Sequence, residues 1–86
     1  MTIRSTLTDR AAVVEMAGDV AAIDMSRLHD HLLELVRARR KNIVLDFRAV
    51  EHVSYQDASR LVREFEFVRS YNGDLRVAGL RPYIRN

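Results

Sequence analysis

His52, Ser54 and Asp57 place an imidazole, a hydroxyl and a carboxylate within six residues, the functional groups that nucleophilic catalysis combines. Their setting does not suit that chemistry. A nucleophile elbow needs glycines two residues either side of the serine, and here those positions are His52 and Gln56. Ser54 is instead followed three residues later by an acid, and then by the apolar period Ala58, Leu61, Val62, Phe65 and Val68. That is a capping box with Asp in place of the usual Glu, and it accounts for Ser54 and Asp57 as the start of a helix. No catalytic residue is expected. His29 and His31 are two apart, so on a helix they point to different faces and cannot share one metal ion; His52 is remote from both. The chain has no cysteine, which excludes disulfides, thiolate catalysis and cysteine-ligated zinc. Gly18, Gly73 and Gly79 are isolated, each with a turn to explain it, so no phosphate-cradling loop is present. Neither metal nor cofactor is implied.

The elements that position these residues follow from the hydropathy pattern. Asn42–Phe47 is a short, β-branched apolar run, expected as a strand covered on both faces. A short loop leads from it to a helix over about Tyr55–Tyr71, with Ala58, Leu61, Val62, Phe65 and Val68 inward and Asn72-Gly73 as a left-handed stop. A strand whose C-terminal end feeds a helix N-terminus is where α/β folds tend to place their sites. Upstream, Thr2–Thr8 alternates, with Ile3 and Leu7 on one face, and suits a half-buried first strand. A turn at Thr8-Asp9-Arg10 joins it to a second strand over Ala11–Met16, ended by Gly18-Asp19. Met25–Arg40 carries a helical stripe of Leu28, Leu32, Leu35 and Val36, widened by Leu33 and capped by Asp24 or Ser26. Leu75–Ala78 is a last short strand, and Pro82 suits the first turn of a further helix. Phe65 and Phe67 flank Glu66, so one of them, Phe67, is expected on a partly exposed face near Val68 or Tyr71, or packed on the N-terminal strand. The fold class is α/β: a mixed β-sheet with helices packed on one side, in the order β-β-α-β-α-β with an optional final α.

The segment Lys41–Leu61 resembles the STAS domain, the family of bacterial anti-sigma-factor antagonists and of sulfate-transporter tails. Asp46-Phe47 matches the family's strand end. Ser54 then falls on the family's Asp, Tyr55 on its phosphorylatable Ser, Gln56 on the second Ser and Asp57 on the Gly. Ala12–Asp19, Leu28–Leu35 and Asn72–Leu80 are similar to further family elements, so the resemblance spans most of residues 11–80. It implies a single STAS-like domain over residues 1–86, with its C-terminal helix short or missing. It also implies a partner-binding loop and helix start at Ser54, Tyr55, Gln56, Asp57 and Ser59, with no phosphoacceptor at the family position, Tyr55. Three roles suit Tyr55: capping the sheet edge, constitutive docking, or acting as a phosphotyrosine.

Composition narrows the classes. The 86 residues suit one domain, and 48% hydrophobic with 30% charged residues suits a globular fold with an ordinary surface. No apolar run reaches the roughly 18 residues of a membrane span, and Met1–Arg10 holds no signal-peptide core, so a cytoplasmic location is expected. The net charge is only +2, though Arg37, Arg39, Arg40 and Lys41 form a basic run. At a helix end such cations complement the dipole, and an anionic partner is the alternative. No aromatic residue interleaves with them, which argues against nucleic acid.

The resemblance therefore implies a non-catalytic STAS-like protein-interaction domain, anti-sigma-factor antagonist-like, in a signalling or scaffold role without the usual phosphoserine. Its partner would be an anti-sigma-factor kinase, another STAS protein or a transporter subunit, and a homodimer is allowed. The alternative is a STAS-like accessory subunit of a membrane lipid (ABC) transport complex.

Overall fold

The computed structural model describes residues 2–19, 22–79 and 84–85. The elements are β1 (Thr2–Leu7), β2 (Ala12–Asp19), α1 (Ala22–Arg37), β3 (Asn42–Ser54), α2 (Tyr55–Ser70), β4 (Asp74–Ala78) and β5 (Ile84–Arg85). β1 runs antiparallel to β2, while β2, β3 and β4 are mutually parallel neighbours, so the sheet is mixed with order β1-β2-β3-β4. The steps β2-α1-β3 and β3-α2-β4 move across the sheet in the same direction. Right-handed crossovers taken twice in one direction place both helices on one face. The core forms there: Ala12, Val14 and Met16 of β2, Ile43, Leu45 and Phe47 of β3 and Leu75 of β4 pack beneath Leu28, Leu32, Leu35 and Val36 of α1 and Leu61 and Val68 of α2.

The two helices end alike. After α1 the amide of Arg39 donates to the Val36 carbonyl (3.1 Å) and that of Arg40 to Leu35 (2.9 Å). After α2 the amide of Asn72 donates to Arg69 (2.9 Å) and that of Gly73 to Val68 (3.0 Å). Both are Schellman stops, with Arg39 (φ 62°) and Asn72 (φ 61°) in the left-handed region.

Several expectations need correction. β3 does not end at Phe47 but continues to Ser54, replacing the expected loop. Its pairing with β2 steps from Glu15↔Asp46 to Ala17↔Ala49, and from Gly18↔Val50 to Asp19↔His52, so β3 carries one extra residue at each step. These bulges set the buried Val50 and Val53 three residues apart and hide the two-residue period of a strand. Nor is β3 covered on both faces. Val44 is only half-buried and Asp46 lies on the side away from the helices. α1 runs from Ala22, so Asp24 and Ser26 fall at positions inside the helix rather than at its N-cap. Leu7, expected half-buried, is 53% exposed at the end of an edge strand. Val62, expected inward, is 54% exposed, because the buried stripe of α2 runs Asp57, Leu61, Glu64, Val68. Pro82 lies outside the described residues, and Ile84–Arg85, expected within a final helix, is a strand parallel to Val53-Ser54.

Candidate functional site

β3 passes into α2 without a loop, Ser54 ending the strand and Tyr55 opening the helix. Ser54 thus stands in the N-cap position, as the capping pattern predicts. The junction is held from both neighbours: Asp19 of β2 pairs with His52, and Ile84 and Arg85 of β5 pair with Val53 and Ser54. A helix start fixed in this way presents its first turn on a rigid support. The side chains of His52, Ser54 and Tyr55 lie outside the described part of the structure.

The remaining residues of the expected site divide in two. Gln56 and Ser59 are exposed. Asp57 is buried (5% exposed) in the first turn, where a carboxylate complements the helix dipole, and its Oδ1 lies 3.6 Å from Nη1 of Arg60. Sequence reasoning missed Arg60 and Arg63, which follow Gln56 at helical spacing and share its side of α2. Together with Met25, Ser26 and His29 of α1 and Glu64 of α2, they line a shallow groove of about 410 Å³ between the helices. The acid at its floor is satisfied: Nδ1 of His29 lies 2.5 Å from Oε1 and 3.1 Å from Oε2 of Glu64. Phe67 meets the His29 ring at 4.5 Å in a tilted contact (48°) and Tyr71 edge-on at 5.2 Å, so it is packed against α1 and half-buried rather than set on the N-terminal strand.

The open face of the sheet holds a second charged group. Asp46 accepts hydrogen bonds from the Arg48 side chain (Nη2 to Oδ2, 2.7 Å; Nε to Oδ1, 3.0 Å) and from the Arg48 amide (3.0 Å). These bonds hold the Asp46 carboxyl below its ordinary value against the opposing effect of burial, and raise the Arg48 guanidinium. Arg4 pairs with Glu15 beside them at 3.1 Å. Among the described residues these groups are ion-paired acids and bases, with no activated nucleophile, and the helix start offers a polar, exposed surface on a fixed frame. Such a surface suits recognition.

Residues 2–86 match the STAS domain family. The chain belongs to the STAS domain family. Among curated proteins no relative matches. Among solved structures, it is similar in fold to the anti-sigma factor antagonist SpoIIAA in its unphosphorylated form (TM-score 0.77, 8% identity, covering 94% of this chain and 76% of that one). It is also similar to an antisigma-factor antagonist STAS domain from Rhodobacter sphaeroides (TM-score 0.68, 15% identity, 91% and 85%). The structure of Mglu contains a similar unit (TM-score 0.80, 12% identity, 95% of this chain); this chain spans 20% of that protein's length. The mixed sheet with two helices is therefore the STAS fold, and STAS domains are in general binding domains without catalysis of their own.

Proposed function

We propose that this STAS domain is a non-catalytic protein-interaction module of the anti-sigma-factor antagonist kind, working in the cytoplasm and docking through the first turns of α2. The supporting observation is the loopless β3–α2 junction, which makes Tyr55 the first helical residue with Gln56 and Ser59 exposed just beyond it. Tyr55 occupies the position where the family resemblance would have a phosphorylatable serine. An aromatic with a polar tip at that place suits a docking contact that persists without a phosphate switch. Asp57 acts from beneath, fixing the turn that presents its neighbours.

The test is affinity capture from the native host, read by mass spectrometry, with the parent protein and a Gln56→Arg variant side by side. Recovery of an anti-sigma-factor kinase or a second STAS protein by the parent, and its loss with the variant, is the expected result. Recovery of permease and ATPase subunits alone would replace this reading with that of a transport-complex accessory. A phosphorylated species mapping to residues 54–59 after incubation with the captured kinase and ATP would overturn the absence of a switch.

A further inference from the structure

The other end of β3 carries a different surface. Three connections meet there: the β1–β2 turn, the α1–β3 turn and the α2–β4 turn. Hydrogen bonds tie them together. Nη1 of Arg40 donates to the Thr8 carbonyl (2.7 Å), Nδ2 of Asn42 to the Arg10 carbonyl (3.1 Å), and the Asp74 amide to the Lys41 carbonyl (2.6 Å). Arg10, brought in from a separate turn, thus joins Arg39, Arg40 and Lys41 around one shallow depression of about 570 Å³, with Asp9 the acid on its lining. Arg37 stands exposed in the last turn of α1. These connections and Arg37 hold five basic residues against one acid, Asp9; the next acid, Asp74 at the start of β4, is already paired with Arg76 at 2.9 Å. The chain as a whole has a net charge of only +2, so this end is more positive than the molecule.

The helix dipole gives cations at the end of α1 a structural role, but it does not explain Arg39. That residue occupies the left-handed stop of a Schellman motif, a position that favours glycine or asparagine. The equivalent stop of α2 has Asn72. Arg39 is therefore a charge kept at a backbone position that disfavours it. Two of the three large exposed apolar residues described, Leu7 (53%) and Tyr71 (50%), also flank these same turns.

We infer that this end is a peripheral membrane-docking surface, its cations meeting the phosphates of anionic lipid headgroups. Guanidinium groups pair with phosphate in a bidentate manner. Leu7 supplies an apolar contact at the acyl boundary, and Tyr71 suits the headgroup layer, as interfacial tyrosines do. This combination of charge with exposed Leu and Tyr favours a bilayer over an acidic peptide, which would use the charge alone. It also favours a bilayer over nucleic acid, since the depression itself has no aromatic lining on which bases could stack. The surface lies at the opposite end of β3 from Ser54, so a domain lying on a membrane would leave the α2 start facing away and accessible.

The full chain is sedimented with vesicles of phosphatidylglycerol and phosphatidylcholine in equal parts, and with phosphatidylcholine alone. Binding to the anionic vesicles only is expected, weakening as salt is raised to about 0.5 M. Arg39→Gly should weaken that binding about fivefold, and Lys41→Gln added to it about fivefold more. The same Arg39→Gly change should leave the thermal midpoint unchanged or raise it, which separates lost docking from lost fold. Equal sedimentation with neutral vesicles, none with anionic ones, or full binding by Arg39→Gly would each overturn the inference. So would a parent protein that ignores the vesicles but binds polyglutamate or duplex DNA.

Discussion

His29 on α1 and Glu64 on α2 hydrogen-bond across the helix interface at 2.5 Å, with the Glu64 side chain only 8% exposed. A buried acid on a helix stripe depends on its partner. His29→Ala should strand that carboxylate and remove the ring that Phe67 packs against, lowering stability by about 1–3 kcal/mol. Replacing both residues with leucine removes the polar requirement together with the bond, and should return stability to within about 1 kcal/mol of the parent. Urea unfolding of His29→Ala and of the double leucine variant measures this; equal losses for the two would refute it.

The Asp46–Arg48 pair makes a prediction in pH. Asp46 is held below its ordinary value of 3.8, first by the Arg48 side-chain hydrogen bonds and then by the Arg48 amide. A folded-state pKa below the unfolded one adds stability that is fully present above the ordinary value, and is lost as the pH falls through the lower folded value. Asp46→Asn should therefore reduce stability at neutral pH and flatten its decline in the acid range. Denaturant midpoints of both proteins between pH 7 and about pH 2.5 test the sign. Parallel curves would exclude Asp46 as a source of the acid dependence.

The order of elements was legible because each one carried its own period or stop. Leu28, Leu32, Leu35 and Val36 marked α1, Asn72-Gly73 ended α2, and Asn42–Phe47 announced the central strand. What failed to show depended on partners distant in the chain. The second half of β3 is held by β2 and by β5, more than thirty residues from either, and its bulges break the alternation that would have revealed it. Burial of Glu64 rests on His29, thirty-five residues earlier. The spacing of Asp57, Leu61, Glu64 and Val68 did hold a clue. Two acids on that stripe made the apolar alternative through Val62 look better, although Val62 lies about 100° round the helix from Leu61. In the site, Ser54 and Tyr55 were legible as a helix start, whereas Arg60 and Arg63 became relevant only once α1 was seen beside them.

Gly79 couples the end of β4 to the first bulge of β3. It has φ 71°, and a Cβ there would run into the Arg48 side chain while lying 2.9 Å from the Arg48 amide nitrogen. Part of that obstacle is backbone and cannot swing aside. Gly79→Ala should cost about 2–4 kcal/mol, from left-handed strain together with overpacking. It should also shift the amide resonance of Arg48, because the bulge must give way. A thermal midpoint equal to the parent's would show that β4 ends more loosely than this contact requires.

Gln56 and Arg63 allow docking to be separated from folding. Both are exposed on the same side of α2, so Arg63→Glu should change stability by less than about 0.5 kcal/mol, while Gln56→Arg, which sets a cation in the first turn against the helix dipole, should cost no more than about 1 kcal/mol. Asp57 lies buried between them in sequence, and Asp57→Ala should cost about 1 kcal/mol through loss of an acid at the helix start. If the α2 start is the docking surface, the two surface variants lose partner binding while still folded, and the salt dependence of association changes with the charge introduced. Asp57→Ala should bind in proportion to the folded fraction that remains. Urea midpoints combined with binding to the captured partner separate these outcomes. Surface variants that bind like the parent would move the interface away from α2 and toward the open face of the sheet, where Arg4, Glu15, Asp46 and Arg48 lie.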